Sequence, residues 1–265
     1  LSEHVFSYFM FDFSSLMCIM IFIVETETTF KETEMTKNTK FYEVGGCVRD
    51  AIIGVESKDI DYAVEADSFE TMRTAIENRG GSIFMEQPEY FTIRAKVPNL
   101  GCADFVLCRK DGGYRDGRHP DSVKVGTLHD DLSRRDFTMN AIAKDEDGSL
   151  IDPFGGIGSI EVGIIRCVGK AQTRMDEDQL RLLRAVRFSV TKKMGLDKDI
   201  QECLNSLDLT LRLKNSVSVE RVREELNKAF MFDTPKTLSL LEKFPLLRDA
   251  VFGSGAIRLQ PTLKK

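Results

Sequence analysis

Up to about residue 156 the apolar positions switch between short strand-like runs and stretches of helical period. Beyond Asp176 the helical period takes over almost entirely. Phe41-Tyr42-Glu43-Val44 reads as a strand entering Gly45-Gly46, and residues 48–53 read as a short helix stopped by Gly54. A further strand carries Lys58-Asp59-Ile60-Asp61-Tyr62. Phe69, Met72, Ala75 and Ile76 fall at helical spacing and predict an amphipathic helix over 68–79, capped by Asp67 or Ser68 and ended by Gly80-Gly81. Residues 91–97 alternate loosely and residues 103–108 are apolar apart from Asp104, so both read as strands. Residues 110–129, rich in Gly, Asp, Arg and Pro, predict an exposed loop. Residues 177–188 read as one uninterrupted helix, and Ser218 is placed to cap another. The expected fold class is α+β: a head of mixed sheet and helices, then an all-helical part, with the boundary near residues 160–170.

Candidate chemistry sits at the junctions of these elements. A strand–Gly-Gly–helix junction leaves backbone N–H groups free at a helix N-terminus, which suits phosphate. Asp59 and Asp61 stand at i and i+2, so on an extended strand both carboxylates point to one side. Taken alone, an Asp-x-Asp or a Gly-Gly pair is usually a solvated turn. Together on one short segment they make a site for Mg²⁺ and a nucleoside triphosphate. Asp104 is an acid in an otherwise apolar strand, where it marks either a solvent-facing edge or a third metal-binding carboxylate for two-metal nucleotidyl transfer. Arg134-Arg135-Asp136-Phe137-Thr138-Met139-Asn140 offers donors and acceptors for triphosphate and ribose at what reads as a strand-to-helix junction. Asp178, Arg181, Arg184 and Arg187 recur every three residues and predict one polar helical stripe.

The bulk composition changes this picture little. With 265 residues, 42% hydrophobic and 30% charged, the chain has the make-up of a soluble globular protein. The net charge of −5 gives no global field for nucleic acid, yet Arg and Lys gather between residues 166 and 228. Six cysteines form no CxxC pair and three histidines are scattered, which argues against zinc or a disulfide framework and for a reducing cytoplasm. Residues 5–24 are apolar enough to span a bilayer, but Asp12, Ser14 and Ser15 interrupt them and no Lys or Arg precedes them. No membrane partner is therefore expected. Residues 1–35 form an extension without an assigned role, joined by a polar linker to Phe41.

These motifs resemble those of the bacterial-type (class II) tRNA CCA-adding enzyme and poly(A) polymerase family of nucleotidyltransferases. Gly45-Gly46 with Asp59 and Asp61 is similar to the family's first motif, and Arg134-Arg135-Asp136 to its second. Arg118-His119-Pro120-Asp121 and the hinge-like Asp152-Pro153-Phe154-Gly155-Gly156 also match. Glu177-Asp178-Gln179-Leu180-Arg181 is similar to the base-reading motif, and the helix after Ser218 to a supporting one. The resemblance covers about residues 41–247. It implies a nucleotidyltransferase head at 36–161, a base-recognising helical neck at 162–230 and the start of a helical body at 231–265, with the longer tail absent. It implies catalysis by Asp59, Asp61 and Asp104 with two Mg²⁺ ions. Nucleotide contacts would come from Gly45, Gly46, Arg49, Arg135, Asp136, Asn140, Asp178, Arg181, Arg184 and Arg187.

The expected activity is template-independent addition of C, C and A to tRNA 3′ ends from CTP and ATP. Hydrogen-bond logic supports this independently. Cytosine and adenine each present an amino donor beside a ring-nitrogen acceptor, which an Asp acceptor next to an Arg donor matches. Guanine and uracil present the reverse order and leave groups unpaired. A partial C-adding or A-adding enzyme and a poly(A) polymerase stay open as alternatives, as does a non-catalytic RNA-binding relative. Phe91-Thr92-Ile93-Arg94 replaces the Gly-Arg-Arg-Phe stretch of bacterial poly(A) polymerases, which favours CCA addition.

Overall fold

The computed structural model describes residues 39–57, 59–98, 100–113 and 122–253. The N-terminal extension and linker, the Arg118-His119-Pro120-Asp121 motif and the last twelve positions lie outside the described residues.

The head is built on a seven-stranded mixed sheet in the order β3-β4-β5-β2-β1-β8-β9. Its strands are β1 (Lys40–Val44), β2 (Ile60–Glu65), β3 (Ser82–Gln87), β4 (Thr92–Val97), β5 (Gly101–Leu107), β8 (Ala143–Lys144) and β9 (Leu150–Ile151). The central pair β2 and β5 is parallel, which places the two acid-bearing strands side by side. Helix α1 (Gly46–Ile53) links β1 to β2 and ends on Gly54 in the left-handed region at φ 81°. Helix α2 (Phe69–Asn78) is capped by Ser68, whose side chain accepts from the Thr71 N–H. It packs Met72, Ala75 and Ile76 onto one sheet face against Val64, Ile93, Phe105 and Leu107. The other face buries Tyr42, Val44 and Ala63 with Leu128 and Leu132 of α3 (Leu128–Ser133). The period-two burial of β4 and β5 turns one face to the first of these cores, whereas β1 and β2 are buried on both faces and serve both layers.

Two sequence expectations change here. Strand β3 went unassigned because its burial alternates between half-buried and exposed, so it carries no sustained apolar face. The predicted loop over 110–129 is instead bounded by the paired strands β6 (Arg109–Asp111) and β7 (Val123–Val125) and runs into α3.

After β9, α4 (Gly156–Glu161) is capped by Asp152, whose two carboxylate oxygens accept the Gly156 and Ile157 N–H groups at 2.7 and 2.9 Å. A Cβ at Gly156 would fall 2.2 Å from the Thr138 carbonyl oxygen, so glycine is required where α4 crosses the turn at 138–140. The short strands β10 (Ile164–Ile165) and β11 (Gly195–Leu196) pair in parallel. The rest is helical: α5 (Ala171–Glu177), α6 (Leu180–Thr191), α7 (Lys198–Leu204), α8 (Leu207–Ser216), α9 (Val219–Phe232), α10 (Thr234–Glu242) and α11 (Pro245–Phe252). Their core gathers Leu182, Leu183, Val186, Leu213, Leu226 and Leu241 and also takes in Phe137 and Met139 from the head-side turn. No helix among the described residues is long and apolar enough to cross a membrane.

The stretch 177–188 is not one helix. It breaks at Asp178, which is extended at φ −151° and ψ 107°. Side chains partner several of the backbone groups at the break. The Asp178 carboxylate accepts the Leu180 N–H at 3.0 Å, and the buried Gln179 amide donates to the Met175 and Asp176 carbonyls at 3.2 and 2.9 Å. Likewise, Arg134-Arg135-Asp136 sits at a helix-to-strand junction and not the reverse. It follows α3 and leads through a 3₁₀ turn (Thr138–Asn140) into β8.

Candidate active site

A cleft of about 810 Å³ opens between the sheet and α6. Gly45, Gly46, Arg49, Asp59, Asp61, Arg135, Asp136, Asn140, Asp178, Arg181, Arg184 and Arg187 all line it. The structure thus brings together every site residue expected from sequence except Asp104.

Gly45 is the N-cap of α1 at φ 76°, a conformation L side chains rarely adopt, and no side chain caps the first turn. A Cβ there would also meet Arg135 Nη1 at 2.9 Å. Across β1 and β2, Val44 pairs with Asp61, and in the parallel register Asp61 stands beside Asp104. Asp59 precedes β2 by one residue, so Asp59 and Asp61 share a side. Partial burial and then the negative charge of Asp104 raise the Asp61 pKa; Arg135 counters this and Asp59 adds to it.

Asp104 faces a smaller adjoining cleft of about 550 Å³, which Asp59 and Asp61 also line, with Phe84, Arg94 and Cys102. Arg94 stands opposite Asp104 on β4 and grips both its oxygens, one of them through Nη2 at 2.6 Å. Among the described residues no three Asp, Glu, His or Cys side chains converge as a metal-ligand set. The donors nevertheless suit a hard divalent cation. Asp59 and Asp61 offer only carboxylate oxygens, and the repulsion Asp61 feels from Asp104 and Asp59 is of the kind a bound cation relieves.

The opposite wall is built by buried ion pairs. Asp131, almost fully buried, takes Arg135 through Nη2 at 3.0 Å and also Arg134. Asp136 accepts Arg184 Nε at 2.8 Å, Arg184 Nη2 at 2.5 Å and Asn140 Nδ2 at 2.9 Å. Burial alone would raise the Asp136 carboxyl, but the Arg184 charge and these hydrogen bonds outweigh it and hold it down at about 2. Arg49 Nη1 donates to Asn140 Oδ1 at 2.5 Å.

Asp178 and Arg181 share the cleft without pairing with each other. Asp178 Oδ2 accepts Arg221 Nη2 of α9 at 2.8 Å, while Oδ1 takes the Leu180 N–H. Arg181 is bound by Glu177 at 2.7 Å and by the Arg174 and Arg134 carbonyls at 2.9 and 3.1 Å. Both side chains are thus fixed by protein partners. Sequence reasoning missed Phe188, Arg221 and Lys228 on this wall. The Phe188 ring lies under the Arg187 guanidinium at 3.9 Å and near Arg49 and Arg184 at 5.1 and 5.5 Å. Its i+4 relation to Arg184 was the available signal. Arg221 gave none, since its partner lies 43 positions away.

Residues 41–166 match the family model of the poly(A) polymerase head domain. The CCA-adding enzyme of Geobacillus thermodenitrificans is 41% identical over 194 residues, covering 71% of this chain and 44% of that protein. That of Lactobacillus johnsonii is 36% identical over 195 residues, covering 71% and 45%. The chain belongs to the CCA-adding enzyme and poly(A) polymerase family of nucleotidyltransferases. It spans a little under half the length of these curated relatives. Two family structures share its fold. One is the Bacillus stearothermophilus CCA-adding enzyme in complex with CTP, at TM-score 0.67 and 30% identity over 84% of this chain and 55% of that one. The other is a tRNA nucleotidyltransferase complexed with a primer tRNA and an incoming ATP analog, at 0.66 and 27% over 84% and 62%. The family's head segment carries the glycine pair, the carboxylates and Arg135 to Asn140, whereas Asp178 to Lys228 lie beyond it.

Proposed function

We propose that this chain adds C, C and A to tRNA 3′ ends from CTP and ATP, without a template and with release of pyrophosphate. The observation that carries the proposal is that one cleft joins the carboxylate pair, a cationic wall and the Asp178 and Arg181 side chains. That cleft holds eight cationic side chains against four carboxylates in a chain whose net charge is −5, which suits a triphosphate and an RNA end. The free first-turn N–H groups at Gly45-Gly46, with Arg49 and Arg135, bind phosphate oxygens. Asp136 and Asn140 fix the arginines and face the ribose. Asp178 accepts the amino group of cytosine or adenine and Arg181 donates to the ring nitrogen, so GTP and UTP meet unmatched groups.

Asp59 and Asp61, with Asp104 once freed from Arg94, would hold two Mg²⁺ ions, which would supply charge neutralisation for the primer 3′-hydroxyl and for the pyrophosphate leaving group. The division into head (36–161), neck (162–230) and start of body (231–265) and a cytoplasmic location belong to the same reading.

The test uses tRNAs ending in the discriminator base, in -C and in -CC, each incubated with one NTP at a time and with CTP and ATP together, the mixture deciding the outcome. Completion of CCA supports the proposal. A stop at -CC, addition of A alone, or long A tails would assign a partial enzyme or a poly(A) polymerase instead. No incorporation together with retained tRNA binding would make the chain a non-catalytic relative.

A further inference from the structure

Helix α6 is tied to the head at two points by one run of polar side chains. Lys192, at its C-terminal cap, donates to Asp50 Oδ1 at 2.7 Å. The same oxygen accepts Arg49 Nε at 2.8 Å. Arg49 continues through Nη1 to Asn140, Asn140 reaches Asp136, and Asp136 returns to Arg184 on α6. Arg184 and Lys192 stand roughly 12 Å apart along the helix at ~1.5 Å per residue. The run therefore laces two turns of α6 to α1 and to the 3₁₀ turn.

Lys192 is not among the residues lining the cleft, so it does not contact a ligand there. Its influence reaches the cleft through Asp50. Because one carboxylate oxygen serves both cations, Lys192 fixes the Asp50 carboxylate and Asp50 in turn fixes Arg49. Arg49 Nη2 then lies 3.6 Å from where a Cβ at Gly46 would stand, against the glycine pair that cradles phosphate in the proposed function. Both Asp50 and Lys192 are largely buried, at 15% and 20% side-chain exposure, so their pairing is only weakly screened.

We propose that Lys192 is a positioning residue for triphosphate binding: through Asp50 it holds the Arg49 guanidinium against the glycine cradle and keeps α6 in register with the head. This rests on the proposed function only in taking the ligand to be a nucleoside triphosphate. The test measures binding of CTP and of inorganic tripolyphosphate by calorimetry, alongside melting temperature. Lys192→Met should weaken both ligands equally, by roughly tenfold, because Arg49 reads phosphate and not base. Lys192→Arg should restore binding. Asp50→Asn should cost a similar factor, and the double variant should be no weaker than the poorer single, since the two act as one unit. Lys198→Met, which removes an exposed charge on α7, should bind as the unaltered chain does. A lowered melting temperature with unchanged affinity for both ligands would make the pair a structural brace and overturn the proposal, as would additive losses in the double variant. If the unaltered chain binds both ligands but adds nothing to tRNA, the proposed function fails while this inference stands; if it binds neither, both fail.

Discussion

Asp136 keeps its charge although it is buried, because Arg184 and Asn140 compensate the lost water. Its folded pKa of about 2 lies below the ordinary ~3.9, so its stabilising contribution is present above ~3.9 and is lost as pH falls toward about 2. Asp136→Asn leaves Arg184 undercompensated and should cost about 3 kcal/mol at pH 6. In urea unfolding that gap should narrow between pH 4 and 2; a constant gap would contradict the assignment. Asp61 behaves in the opposite sense. Its raised pKa means the charged form strains the metal-free site, so Asp61→Asn should raise the melting temperature at neutral pH without Mg²⁺, the gain vanishing in acid.

On the proposed assignment, Asp178→Ala removes the acceptor for the amino group of C and A. Preference for CTP and ATP over UTP and GTP should then fall by roughly tenfold or more. Arg49→Ala should weaken all four nucleotides alike. Undiminished preference in Asp178→Ala would place base reading elsewhere. At this scale the site was largely legible, because Gly45, Asp61, Arg135 and Asp178 sit in short motifs whose chemistry follows from residue type and spacing. Arg94's grip on Asp104 and Arg221's grip on Asp178 were not, since both pairs join separate elements.

At the scale of elements, α1, α2, β1, β2, β4 and β5 could be read from period and caps. What escaped was decided by side chains that substitute for backbone partners. Asp178 and Gln179 partner one N–H and two carbonyl groups at the break before α6, which offsets part of the cost of interrupting an apolar period that looks continuous. Strand β3 is held by pairing with β4, not by a buried face. The crossing of α4 over the 3₁₀ turn is a tight element contact. Gly156→Ala should destabilise the chain by about 1–3 kcal/mol through overpacking against the Thr138 carbonyl. Chemical denaturation would measure it, and an unchanged midpoint would show that the contact yields.

For the whole molecule, the core of the helical part reaches the head through Phe137 and Met139 of the head-side turn, which join Leu182 and Val186 of α6, while the two sheet faces carry cores of their own. The cleft is formed where the acid-bearing strands and the arginine-bearing helix face each other across that turn. The α+β class and the switch to helices were visible in the chain's periodicity. The facing of the two layers was not, because it depends on ion pairs such as Lys192 to Asp50, 142 positions apart. In the proposed function this cleft selects the base with protein groups, without a template, and transfers the nucleotide at its Mg²⁺-binding carboxylates. The most direct measurement supplies all four NTPs together, labelling one at a time, to a tRNA lacking its CCA end, with the unaltered chain and with Asp59→Ala/Asp61→Ala. Only C and A should be incorporated, and the double variant should lose this while retaining tRNA binding. Equal use of all four nucleotides, or turnover by the double variant, would contradict it.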